Sequence, residues 1–428
     1  MSNPTYETLT NPDSHRQRAA LTHKANIRQR RHGWLRLTPA YSLHLVEDLL
    51  SHASPDELVL DPFSGTGTTP VAAAALGIKA HSVDINPFLV WLGNLKCSAF
   101  SEADATAFNE VAARIIKSFR RRSLRRLLWV PDLHQIEKWW DEPVLRSLSV
   151  LFAQIDTVKA DDAIRDLLRI AFCRTAIETS HASFNHQSMS FKKRGASAQV
   201  GLFPGTADEA QEGVLQKFRQ AVAQVSLGTA DDNPTTEGKV FLGDSRNLAK
   251  ALPSKSYTKV VTSPPYPNRM SYIRELRPYM YWLGYLTNGR AAGELDWQAI
   301  GGTWGCATSN LGSWEASPDI TVPFPKFARI VDAISADHKL LGPYVHKYFE
   351  DIQVHIRSLK TVLAPAARCH YVVGNSKFYD TMLPVEEIYA ALFEDSDFEA
   401  VSIERIRKRN SKKELYEFIV HASNPQSS

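Results

Sequence analysis

Apolar residues at Leu43, Val46, Leu49 and Leu50 share one helical face and predict a helix over 38–50, entered through Pro39. The pattern then shortens. The run 57–61 reads as a buried strand, 61–69 as a glycine loop, 70–76 as a small-residue helix ended by Gly77, and 79–84 as a second strand. Strand, loop, helix, strand is the unit of a parallel α/β sheet. From 101 to about 227 helical periodicity dominates, broken by Pro131 and by a loop around 195–205. Strands resume at 239–243, 259–262 and 370–373, and 400–406 with 416–420 reads as a hairpin. The expected organisation is a core from 1–100 and 238–428, split by a mainly helical insertion at 101–237. A second, irregular insertion is expected at 287–325, around Gly301, Gly302, Trp304 and Trp314.

Composition narrows the class. With 428 residues, 43% hydrophobic and 22% charged, the chain can bury a full core and exceeds one average domain. No run reaches the roughly 18–20 apolar residues needed to span a bilayer, and the polar N-terminus lacks a signal-peptide core. Cys97, Cys173, Cys306 and Cys369 are scattered, without metal-ligand or disulfide-scaffold spacing. A cytoplasmic protein with neither membrane partner nor metal is expected. The net charge of +4 is small, but basic residues cluster at 28–32, at Arg120, Arg121, Arg122, Arg125 and Arg126, and at 405–413. Such runs suit phosphates; a solvated helix face is the competing reading.

Two motifs carry chemistry. In the first, Asp61, Pro62, Phe63, Ser64, Gly65, Thr66, Gly67, Thr68 and Thr69 close a strand and open a helix. Gly65 and Gly67 permit close backbone approach, and the helix start offers free N–H groups to an anion. Asp84, ending the next strand, stands where a carboxylate can accept from ribose hydroxyls. No Gly-Lys-Ser/Thr follows, so this is not a Walker loop, and the third glycine of a dinucleotide fingerprint is missing. A purely structural turn is the plain alternative to a nucleoside-cofactor site.

The second motif, Thr262-Ser263-Pro264-Pro265-Tyr266, follows the apolar pair Val260-Val261. With 61–69 it resembles the amino-methyltransferases of DNA, which move a methyl from S-adenosyl-L-methionine to cytosine N4 or adenine N6. The chemistry suits the residues. A ring amine is a poor nucleophile because its lone pair is delocalised. Ser263 Oγ and the Pro264 carbonyl are candidate acceptors that would favour its pyramidalisation. Pro264 and Pro265 preorganise the loop, and Tyr266 offers a ring on which a flipped base can stack. Transfer would be a direct in-line displacement, with no covalent nucleophile and no metal. The chain holds no Pro-Cys dipeptide, which argues against methylation at a ring carbon.

The resemblance spans roughly 30–97 and 239–422. It implies an α/β fold, a Rossmann-like seven-stranded methyltransferase sheet with a large helical insertion. It also implies that 61–69 is motif I, its free N–H groups meeting the methionine carboxylate. The segment 38–50, starting at Thr38, looks like motif X beside the methionine end, and Asp244 matches the contact to the cofactor's adenine. Tracts 264–274, 371–376 and 409–413 look like stand-alone methylases of restriction systems. Double-stranded DNA and a cognate restriction endonuclease are then the partners that the resemblance implies. Ser263 is similar to the cytosine-N4 pattern. Asn268, Arg269, Asn375, Lys192, Lys193 and Arg194 are candidate substrate contacts, with capping or solvated charge as rivals. Methylation of RNA or of a glutamine amide, and a non-catalytic specificity subunit, remain open alternatives.

Overall fold

The computed structural model describes residues 6–7, 26, 30–35, 37, 41–120, 127–183, 190–191, 207–230, 233–267, 271–302, 306–410 and 414–426. Seven strands form its sheet: β1 (Leu58–Asp61), β2 (Lys79–Asp84), β3 (Gly238–Leu242), β4 (Tyr257–Thr262), β5 (Leu363–Gly374), β6 (Glu399–Asn410) and β7 (Leu415–Ser423). Their spatial order is β3-β2-β1-β4-β5-β7-β6, with the two-residue strand Tyr6–Glu7 added beyond β6. Neighbours from β3 to β5 run parallel, whereas β7 is antiparallel to both β5 and β6. This is the expected α/β sheet. Its order reverses between β1 and β4, and ligands of open α/β sheets bind beyond the strand ends at such a point.

The first helix, α1 (Leu43–Leu50), starts later than the expected residue 38. Ser42 is its cap and accepts from Leu45 N, while Pro39 lies outside the described residues. After β1 comes α2 (Thr68–Ala75), buried through seven of its residues, and after β2 comes α3 (Pro87–Cys97), capped by Asn86.

Four longer helices occupy the segment before β3: α4 (Glu102–Arg120), α5 (Glu142–Thr157), α6 (Asp162–Glu178) and α7 (Ala207–Ala230). A short antiparallel pair, Ala182–Ser183 with Ser190–Phe191, lies between the last two. Their apolar faces do not make a separate core. One cluster joins Phe108, Leu148, Leu168 and Phe218 to Phe88 and Leu92 of α3, and to Leu276, Met280 and Trp282 of α8 (Tyr272–Trp282). Trp282 sits between Trp129, Trp140, Phe152 and Phe172, with ring centroids 5.1 to 6.0 Å away. Arg31, 1% exposed, ties the N-terminal side to both parts. Its guanidinium donates to Gly228 O at 2.7 Å, Lys96 O at 3.0 Å and Asn233 Oδ1 at 2.7 Å.

The stretch 287–325, expected to be irregular, contains α9 (Gly289–Gln298) and α10 (Cys306–Gly312). Asn288 caps α9 by accepting from Ala291 N. Beyond it, α11 (Phe327–Asp337), α12 (Leu341–Lys360) and α13 (Val385–Asp395) join the second large apolar cluster, which lies against β4, β5 and β7. Among the described residues no helix is long and apolar enough to cross a membrane.

Candidate active site

The first motif occupies the turn between β1 and α2. Gly65 and Gly67 have φ of 51° and 77°, and a Cβ on Gly67 would lie 3.2 Å from Gly93 Cα of α3. The turn therefore needs glycine at 67 for both its backbone angle and its closeness to α3. Gly65 N donates to Asp84 Oδ2 and Asn86 N to Asp84 Oδ1, each at 2.8 Å. Burial, opposed by these donors, pushes the Asp84 carboxyl up to about 7. Each oxygen retains a lone pair for a further donor.

Asp61 is fully buried beneath the loop. Its Oδ1 accepts from Thr262 Oγ1 at 2.6 Å and from Phe63 N at 3.0 Å. Burial raises its carboxyl to about 6, with the Thr262 donor working against the rise. Tyr41 of the segment leading into α1 bonds Thr69 Oγ1 through its hydroxyl, and Thr69 donates to Val261 O at 3.2 Å. Asp61, Tyr41, Thr69 and Thr262 thus lace the glycine loop to the end of β4, where the second motif begins.

Two further polar groups lie at the loop, one within it and one on α3. Ser64 Oγ is buried without a hydrogen-bond partner. Lys96, 1% exposed, donates from Nζ to Thr66 O at 2.9 Å. Burial brings its ammonium down to about 8.

In the second motif, Ser263 Oγ donates to Val372 O at 3.1 Å. A side-chain hydrogen bond also links Ser263 to the Tyr266 phenol, and the serine oxygen keeps a lone pair to accept with. The Pro265 carbonyl accepts from Tyr348 Oη at 2.7 Å, and that hydroxyl also bonds Tyr389 at 2.8 Å. Pro264 is buried, and its carbonyl has no donor among the described residues. Tyr266 donates to Glu417 Oε1 at 3.1 Å, with the Arg409 guanidinium 5.4 Å from its ring centroid. Burial first, then the Glu417 charge, holds the phenol well above its ordinary pKa, so the ring is neutral.

Other expected contacts are otherwise engaged. Asp244 accepts from Arg246 N, Nε and Nη2 at 2.7 to 3.1 Å, and Arg246 also reaches Asp351 at 2.7 Å. An adenine amine at Asp244 would share a carboxylate already ringed by donors. Asn375 uses its amide on the backbone: Nδ2 donates to Glu414 O at 3.1 Å, and Oδ1 accepts from Tyr416 N at 2.8 Å. In the basic run of β6, Arg407 pairs with Glu417 and Lys408 with Glu414. Thr38, Lys192, Lys193, Arg194, Asn268 and Arg269 lie outside the described residues.

Residues that sequence reading passed over are Tyr41, Lys96, Tyr348, Gly374, Arg407, Arg409 and Glu417. Tyr41, Gly374 and Arg409 lay inside the family-like tracts 38–50, 371–376 and 409–413, and Arg407 in a basic run, but none was singled out. Among the described residues no group of three or more His, Cys, Asp or Glu is placed to hold a metal.

The family of DNA methylases that modify N6 or N4 amines matches residues 20–93. Over 362 residues the chain is 22% identical to Type II methyltransferase M.MvaI of Kocuria varians, covering 81% of this chain and 76% of that protein. It is 22% identical to M.BsoBI of Geobacillus stearothermophilus over 446 residues, covering 93% and 85%. It is 24% identical to M.AvaI of Nostoc sp. over 285 residues, covering 60% and 55%. Among solved structures, the rRNA methyltransferase aviRa of Streptomyces viridochromogenes aligns over 90% of this chain and 86% of its own, at 11% identity and a TM-score of 0.27. The match over 20–93 and these Type II relatives support a DNA amino-methyltransferase, of the kind that acts at cytosine N4 or adenine N6.

Proposed function

We propose that this enzyme methylates one base within a specific sequence of double-stranded DNA, after that base has flipped out of the helix. Cytosine N4 is favoured over adenine N6. The observation that carries the reading is Ser263: its hydroxyl donates to Val372 O, which leaves its oxygen to accept, next in the chain to a Pro264 carbonyl with no donor among the described residues. Two acceptors on one ring amine draw its hydrogens out of the plane and free its lone pair. Tyr266, neutral and half-buried, is the stacking surface for the flipped base.

The residues present fit S-adenosyl-L-methionine, which when bound supplies an electrophilic methyl on sulfur. Asp84 would accept from the ribose diol through its remaining lone pairs. The N–H groups at the start of α2 would meet the methionine carboxylate, and the unpartnered Ser64 Oγ is an orphan in need of a ligand or water. Asp61 and Thr262 keep the two loops in register. The chain would act in the cytoplasm as the protective partner of a restriction endonuclease.

Long-read sequencing of plasmid from a methylation-free host expressing the protein tests this, with Tyr266→Ala as control. A modified motif lost in the control is expected, with N4-methylcytosine in the nucleoside digest. Unmodified plasmid from a folded protein that binds S-adenosylmethionine would reject the DNA substrate. N6-methyladenine would reject the base preference alone.

A further inference from the structure

Tyr266 is held by a part of the chain that lies more than a hundred residues beyond the catalytic motif. Gly374 of β5 stands opposite Glu417 of β7, and Glu417 opposite Arg407 of β6, so the three form a row across the sheet. Glu417 sits between two donors. Its Oε1 takes the Tyr266 phenol at 3.1 Å, and its Oε2 takes Arg407 Nε at 2.6 Å.

Arg409 covers the ring. Its Cζ lies 5.4 Å from the Tyr266 centroid, while Nε donates to Tyr416 O at 3.1 Å and Nη2 to Asn375 O. The guanidinium is therefore fixed by backbone carbonyls and is not a loose surface charge. A Cβ on Gly374 would fall 2.7 Å from Arg409 Cζ and 2.9 Å from Tyr266 Cε2. β5 can pass this close to both groups only because position 374 has no side chain. Glu417 is only 9% exposed, so its charge depends on Arg407 for compensation.

We propose that the β6–β7 hairpin is a positioning device for the target base: Arg409 closes one face of Tyr266, Glu417 fixes its edge, and the base can stack only on the remaining face. Arg409, Glu417 and Arg407 are positioning residues, since they act through Tyr266. With Arg409 on one face, the ring offers the base one orientation of its amine towards Ser263 and Pro264. A ring free to tilt would still accept a base but would present its amine to the acceptors only part of the time. The proposal rests on the reading of Tyr266 as the stacking surface.

The test uses full-length protein and two duplexes carrying its recognition motif, one with the natural target base to follow methylation and one with 2-aminopurine beside the target base to report flipping. Arg409→Met, Glu417→Gln and Tyr266→Ala are compared, singly and with Tyr266→Ala as background. Arg409→Met and Glu417→Gln are expected to slow single-turnover methylation about tenfold to a hundredfold, the scale of a misplaced reacting group. They should diminish the 2-aminopurine signal and leave duplex and 5′-methylthioadenosine affinity within about twofold of wild type. In the Tyr266→Ala background neither change should cost anything further. Arg409→Lys keeps the cation without the fork and should recover part of the rate.

If Arg409→Met and Glu417→Gln turn over at the wild-type rate while Tyr266→Ala is impaired, the positioning device is rejected and Tyr266 keeps its role. Equal losses with and without Tyr266 reject it too, since the effect then does not pass through the ring. If Tyr266→Ala itself flips and methylates normally, the reading of Tyr266 fails first. Should Arg409→Met not fold, as judged by its thermal melt, Glu417→Gln carries the cycle alone.

Discussion

Asp84 makes ligand binding depend on pH in a direction that can be worked out. Its carboxyl, pushed up to about 7 by burial and by the nearby Asp61 charge, is largely protonated in mildly acidic solution. A ribose diol donates hydrogen bonds, so it needs the ionised form. Below pH 7 binding must therefore expel a proton, and affinity should fall by about tenfold per pH unit, or about 1.4 kcal/mol. Above it the profile should level off. The assay is titration calorimetry with 5′-methylthioadenosine, which has the ribose and adenine but neither the α-amine nor the carboxylate of methionine, so the titration belongs to the protein. Repeating it in buffers of different ionisation enthalpy should show close to one proton released near pH 6 and none near pH 8. Asp61, raised to about 6, adds a second bend only at the acid end. Asp84→Asn is neutral throughout and should be flat down to the acid-end bend of Asp61. A flat wild-type profile, or an unchanged slope in Asp84→Asn, would refute the assignment.

Lys96 is buried without a carboxylate partner among the described residues, and burial lowers its pKa from 10.5 to about 8. Its folded value lies below its unfolded one, so the penalty is full below pH 8 and fades as pH rises to about 10.5. Lys96→Met should therefore gain up to about 3 kcal/mol at pH 7, less about 1 for the lost hydrogen bond to Thr66, and the gain should vanish near pH 10. Thermal melts at both pH values check this, and a melting temperature below wild type at pH 7 would contradict it. Gly67→Ala must hold a left-handed residue at a cost of about 1–2 kcal/mol and press on Gly93. It should lower both stability and cofactor affinity, whereas Gly213→Ala, which meets open space on α7, should stabilise by about 0.5–1 kcal/mol. Equal melting temperatures for the two variants would show that the turn tolerates a side chain.

The elements read most easily from sequence were those whose pattern is local. The strand 79–84 is found at its expected limits, and the turn at 61–69 has the strand before and the helix after that its glycines required. β5 runs seven residues further back than 370–373. Pro365, Arg368 and an alternation of exposed and buried positions masked its first half, and His370 is half-buried and bonds His421 of the neighbouring β7. The site divides in the same way. Ser263 to Tyr266 and Asp84 announce themselves by neighbours in the chain. Glu417 reaches Tyr266 over 151 residues and Tyr348 reaches Pro265 over 83, separations at which no spacing rule operates. The Asp244–Arg246 pair, two positions apart, was within reach of the sequence and overlooked.

The shared core of α3, α8 and the helices α4 to α7 bears on how such an enzyme can be altered. A segment exchanged at 101 and 237 would leave behind the faces of Phe88, Leu276 and Trp282 that its own helices cover. The recipient would gain four helices with no matching bed and lose a buried tryptophan's aromatic setting. Borders for a working chimera must therefore be drawn around α3 and α8, even though both lie outside the exchanged stretch. Since α8 begins only six residues after Tyr266, any transplant of the helical part also carries the road out of the reaction centre. Exchange is confined to whole packing units, and the outer surfaces of α4 to α7 are the places free to vary.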